Sequence, residues 1–149
     1  MSEHAATISW TRTSQDFTYD SYNRAHEWRF APGLVVPASA AAAYLGDSER
    51  VDPEQALVAS LSSCHMLTFL AVAARKRYVV DRYKDSAVGV LTKNEQGKLW
   101  LSRVTLRPRI VFSGAKQPSV EELDQLHHLA HANCFIALSV KTEVVVEAP

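Results

Sequence analysis

Cys64 and Cys134 are the only thiols in the 149-residue chain, and the chemistry open to the sequence centres on them. The reactive form of cysteine is the thiolate, a small fraction of a free thiol at neutral pH, so a nucleophilic cysteine needs a cation or hydrogen-bond donors beside it. Cys64 stands among Ser62, Ser63 and His65, and Cys134 follows His131, Ala132 and Asn133. None of these is a permanent cation, so an arginine or lysine must come from elsewhere in the chain. The plain alternative is a pair of buried apolar cysteines with no chemistry. Met1 to Thr7 lack the basic start and long apolar run of a secretory signal, which leads us to expect a cytoplasmic protein. In that compartment thiols stay reduced unless they have a redox task.

A metal site is a second use for the same residues. His127 and His131 stand four apart on one helix face, Cys134 follows three later, and His65 and Cys64 could complete a shell. Against it, His127-His128 sits in a polar stretch beside Asp124 and Gln125, and no further cysteine or paired-acid motif supports it. The reading without a metal is preferred.

The elements that must position the thiols follow from periodicity. Ile8, Trp10 and Arg12 alternate with polar neighbours, as do His26, Trp28 and Phe30, giving two short strands that pair, the second ending at Pro32-Gly33. Leu34 to Arg50 has no steady period and reads as an irregular loop with a helical turn. Asp52-Pro53-Glu54 supplies an N-cap, a first-turn proline and an acid at the positive end of a helix. From Ala56 to Ala74 no residue is charged, a run long enough to raise the question of a membrane span. Ser60, Ser62, Ser63, His65 and Thr68 are too many polar groups for a lone span, so the expectation is a central helix, apolar all round, covered by sheet and by other helices or a second subunit. Arg75, Lys76 and Arg77 close it.

Downstream, Ala87 to Thr92 and Leu99 to Phe112 are β-rich and flank the turn Asn94-Glu95-Gln96-Gly97, a hairpin. In its second arm Val104, Leu106, Ile110 and Phe112 share one face. Arg103, Arg107 and Arg109 line the other, where a solvated face is the expectation rather than an anion site. Pro108 marks an edge or bulge. Ser119 with Glu122 forms a capping box before Leu123, Leu126, Leu129 and Ala130, so a second helix runs to about Asn133. Leu138 to Glu147 alternates as a final strand. Lys plus Arg and Asp plus Glu are 16 each, so no net field favours nucleic acid or an anionic membrane, and neither is expected as a partner. Residues 1–149 are expected to form one α+β domain.

Asp52-Pro53-Glu54-Gln55, then Ala59, then Ser63-Cys64 resembles the helix-opening and peroxidatic-cysteine segment of the OsmC/Ohr family of osmotically inducible and organic hydroperoxide resistance proteins. His131-Ala132-Asn133-Cys134 followed by a valine-rich strand is similar to that family's resolving-cysteine segment, and the order of elements matches over nearly the whole chain. The resemblance implies antiparallel sheets wrapped around a long central helix, in an intertwined homodimer with sites between subunits. It implies a peroxidase of organic, lipid-type hydroperoxides, in which Cys64 becomes a sulfenic acid and Cys134 condenses with it to a disulfide. A dithiol reductant, such as a lipoyl protein, restores the thiols, and no cofactor is needed. It also implies an arginine that holds the thiolate and a glutamate that orients it. Glu54 matches the glutamate. The family's glycine-flanked arginine motif is absent; Arg24 is the best match by its spacing to Glu54, and Arg29 is second. On one straight helix Glu54 and Cys64 lie roughly 15 Å apart, so a long arginine or a helix break must join them. Phe135 replaces the proline usual after the resolving cysteine, and His65 follows the first, marks of a divergent branch. His65 reads as a core or interface histidine before it reads as a proton carrier. The alternative is an OsmC-like small-molecule-binding or stress protein without peroxidase activity.

Overall fold

The computed structural model describes residues 1–147 and resolves two compact units, Met1–Ala56 and Leu57 onward. In the first, β1 (Thr7–Ser9), β2 (His26–Arg29) and β3 (Val35–Ala38) form an antiparallel sheet in that order, with Ile8 opposite Trp28 and Trp28 opposite Val36. The pairing of the first two strands matches the sequence reading. The third strand lies where an irregular loop was expected, because Pro37 argues against a strand; at a sheet edge, where it stands, its missing N–H costs no ladder bond. After it the chain makes a single 3-10 turn, Ala42–Tyr44, and doubles back so tightly that a Cβ at Gly46 would lie 1.6 Å from the Ala40 carbonyl oxygen.

Helix α1 (Pro53–Arg75) opens with reciprocal bonds: the Gln55 N–H donates to Asp52 Oδ1 at 2.7 Å and the Asp52 N–H to Gln55 Oε1 at 3.1 Å. It runs unbroken. It is the one helix among the described residues long and apolar enough to cross a membrane. Yet only the stripe Leu61, His65, Phe69 and Ala73, at four-residue spacing, is buried, and Leu67 on another face is 60% exposed. The cover on several sides expected from its composition is thus supplied on one side only within this chain.

In the second unit, β4 (Val79–Asp85) pairs antiparallel with β7 (Pro108–Ser113), and β5 (Val88–Lys93) with β6 (Leu99–Leu106). The turn at Asn94–Gly97 joins β5 to β6 as expected, with Gly97 at φ 73°. The long arm Leu99 to Phe112 is not one strand. It breaks at Arg107, whose N–H donates to Asp85 Oδ1 at 2.6 Å, and Pro108 begins β7 in a different sheet. Its apolar face is therefore split: Val104 and Leu106 pack with Leu61, whereas Ile110 and Phe112 pack around Phe69, Ala73 and Tyr78. Arg103 and Arg107 pair with Glu143 and Glu147 at the surface, the solvated-face reading. β4 escaped the sequence reading because its charges at Asp81, Arg82, Lys84 and Asp85 hide the alternation.

Helix α2 (Val120–Ala132) begins at the expected capping box, with Ser119 Oγ accepting from the Glu122 N–H at 3.1 Å and Glu122 Oε2 from the Ser119 N–H at 2.8 Å. Ser119→Ala is expected to cost about 1 kcal/mol, read as a lower urea midpoint at unchanged slope. A final strand from Leu138 is not what forms. Phe135–Leu138 is a short helix, α3, and only Glu143–Val146 is strand, β8, which joins β6 in parallel rather than antiparallel register. The chain thus has the α+β fold expected, antiparallel pairs with a long helix, apart from the parallel β6–β8 pairing and an isolated parallel bridge between Ala38 and Val51.

Candidate active site at the two cysteines

Cys64 projects from the middle of α1, half-buried, into an open cavity of about 850 Å³ lined by Ser63, Leu67, Thr68, Leu129 and Phe135 among others. Cys134 is only 1% exposed. It caps α3, its Sγ accepting from the Ala137 N–H at 3.5 Å. Burial pushes the Cys134 thiol above its ordinary value, and a hydrogen bond with the neighbouring Cys64 adds to the rise, against the opposing pull of the Ala137 N–H. The two thiols are thus neighbours with unlike surroundings. Cys134 is dry and holds its proton; Cys64 faces the cavity, where a substrate can reach it.

Arg75 and Lys76 also line the cavity at Cys64. Arg24 and Arg29 stand elsewhere. In the first unit Arg24 is held within its own loop: Nη1 donates to the Tyr22 carbonyl at 2.7 Å, Nη2 to the Tyr19 carbonyl, and the guanidinium lies 3.8 Å from the Tyr22 ring centroid. Asn23, bonded to Thr11 and Thr13, clamps the base of that loop. Arg24 and Glu54 both line a cavity of about 610 Å³ walled by Trp10, Phe17 and Tyr44, but no ion pair joins them among the described residues. Arg29 pairs with Glu27 at 2.6 Å on the surface. Because α1 is unbroken, Glu54 and Cys64 remain roughly 15 Å apart along it.

His127 is buried, not on the polar face that its neighbours Asp124 and His128 suggested, and its Nδ1 lies 3.1 Å from Nε2 of the buried His65. The signal for this was in the sequence: 127 falls on the stripe Leu123, Leu126, Ala130, Cys134, whereas Leu129 points outward. Burial holds the His65 pKa down at about 4, helped by the charges that His127 and His131 would carry and opposed by Asp85. Burial likewise lowers that of His127, against Asp124 and Asp85. The two rings bond each other rather than share a metal. Among the described residues no three His, Cys, Asp or Glu side chains converge as a ligand set, so the metal reading lacks its geometry.

Comparison with known proteins agrees with the architecture around these thiols. The family model for OsmC-like protein matches residues 46–148. An OsmC-like protein of unknown function from Vibrio cholerae is 51% identical, with 100% of both chains covered and a TM-score of 0.95. An organic hydroperoxide resistance protein from Elizabethkingia anophelis is 17% identical, over 99% of this chain and 94% of that one, with a TM-score of 0.73. The organic hydroperoxide resistance protein OhrB of Bacillus subtilis is 20% identical, over 97% and 98%, at a TM-score of 0.68. No curated protein matches. The chain belongs to the OsmC-like family, whose fold it shares with organic hydroperoxide resistance proteins.

Proposed function

We propose that the protein is a two-cysteine peroxidase of organic, lipid-type hydroperoxides. The observation that carries the reading is the unlike pair of neighbouring thiols: Cys64 half-buried at an apolar-walled cavity, Cys134 buried beside it with its proton held. The Cys64 thiolate attacks the outer peroxide oxygen; the O–O bond breaks, the alkoxide leaves and takes a proton, and Cys64 becomes a sulfenic acid. The Cys134 sulfur then attacks the Cys64 sulfur, an S–S bond forms, and water leaves. An external dithiol of the lipoyl type reduces the disulfide by exchange and is itself oxidised. Leu67, Leu129 and Phe135 favour an apolar peroxide substituent over hydrogen peroxide.

In this reading Arg24 clamps the thiolate and the peroxide, and Glu54 orients Arg24. The protein works in the cytoplasm as a homodimer with sites between subunits. The uncovered faces of α1 support the dimer, since apolar surface of that extent is stable when a second copy buries it. The engagement of Arg24 with Tyr19 and Tyr22 favours a second reading, an OsmC-like small-molecule-binding protein without peroxidase activity. Steady-state assays decide between them. The peroxidase reading expects cumene hydroperoxide to be consumed at the expense of dihydrolipoamide, faster than with monothiol glutathione; no consumption with either reductant supports the second reading.

A further inference from the structure

Two histidines join α1 to α2 inside the second unit. His65 Nε2 and His127 Nδ1 are 3.1 Å apart, the rings are nearly parallel at 12°, and the Phe69 ring lies 4.7 Å from that of His127. The outer nitrogens, His65 Nδ1 and His127 Nε2, are buried and have no partner among the described residues. A neutral imidazole carries one N–H. An N–H···N bond between two neutral rings therefore leaves one outer N–H without an acceptor and one outer lone pair without a donor, whichever ring donates. An apolar pair of the same volume would avoid that cost. What a polar pair supplies instead is direction, since a hydrogen bond fixes the offset of two helices where apolar contacts slide.

The pair is also placed next to both thiols. His65 follows Cys64 in α1. From His127 the buried face continues to Ala130; α2 ends at Ala132, and Cys134 follows two residues later as the N-cap of α3. A slide or rotation of α2 on α1 large enough to part the sulfurs must first stretch the N–H···N bond. We propose that the His65–His127 bond is a positioning element for the dithiol: it sets the register of α2 on α1 and hence the approach of Cys134 to Cys64. The inference rests on the reading of these cysteines as a redox pair.

Glutathione redox buffers test it without peroxide, because each protein disulfide formed reduces one oxidised glutathione to two thiols. In the double variant H65Q/H127N the glutamine amide reaches the place of Nε2 and the asparagine amide that of Nδ1, so the tie is rebuilt without imidazole; in H65N/H127N it is one methylene short. The rebuilt pair is expected to keep the dithiol–disulfide constant within about threefold of wild type, and the short pair to lose about tenfold toward the dithiol. A short pair with the wild-type constant, or two variants that fall equally, overturns the proposal. In unaltered protein with ¹⁵N-labelled histidine, the N–H···N signature should persist in the disulfide form, and its loss there would also overturn it. Failure of the wild type to form a disulfide in any buffer removes the redox-pair reading as well, whereas a disulfide without peroxide consumption removes the peroxidase reading alone.

Discussion

Cys64→Ser is expected to lower cumene hydroperoxide consumption by at least about three orders of magnitude, because a serine hydroxyl does not ionise near neutral pH whereas a thiol reaches its thiolate form readily. Cys134→Ser should behave differently. It keeps one fast reaction with peroxide and then stops at the Cys64 sulfenic acid, which dimedone traps and excess peroxide carries on to the sulfinic acid. The asymmetry follows from burial. Cys134 is dry, with its thiol held protonated by its surroundings and by Cys64, while Cys64 lines the cavity. Stopped-flow measurement of the first turnover in both variants checks the assignment. A fast first turnover in Cys64→Ser, lost in Cys134→Ser, would exchange the roles.

Acid should destabilise the protein through the buried histidines. An unfolded histidine takes up its proton near pH ~6.5, whereas folded His65 does so only at about 4. Between those values the unfolded chain binds more protons than the folded one, so stability is complete above the upper value and falls as pH drops toward the lower. The depressed His127 adds in the same direction. Asp85 on β4 and Asp124 on α2 oppose the shifts, and His131 on α2 reinforces that of His65. Wild type is therefore expected to lose about 2 to 3 kcal/mol more than H65Q/H127N between pH 7 and pH 4, read from urea midpoints across that range. Equal losses in the two proteins would remove the histidine pair as the cause.

Much of the frame around the thiols was legible in the residues. Asp52-Pro53 and Ser119-Glu122 mark where α1 and α2 begin, since caps are local chemistry that tertiary packing seldom overrides. Elements defined by distant partners were harder to read. β3 carries a proline, tolerated at a sheet edge beyond which there is only an isolated bridge of Ala38 with Val51, and β4 is disguised by its charges, of which Asp81, Arg82 and Lys84 are exposed and Asp85 is half-buried. The break at Arg107 depends on Asp85, twenty-two positions earlier in the chain. Within the candidate site both cysteines could be singled out at once as the only thiols. The partnership of His65 with His127 could not, because it joins positions 62 residues apart, and the polar neighbours of His127 drew attention from the stripe on which it lies. The loop that holds Arg24 depends on Tyr19 and Tyr22, whose aromatic and carbonyl contacts have no signature in spacing.

The most direct measurement is a count of free thiols in the reduced protein before and after one equivalent of cumene hydroperoxide, with Cys64→Ser alongside. The account predicts rapid loss of both thiols in the wild type, with Cys64 and Cys134 recovered as one disulfide-linked peptide pair, and an unreacted Cys134 in the variant. Two intact thiols after exposure to peroxide would contradict it.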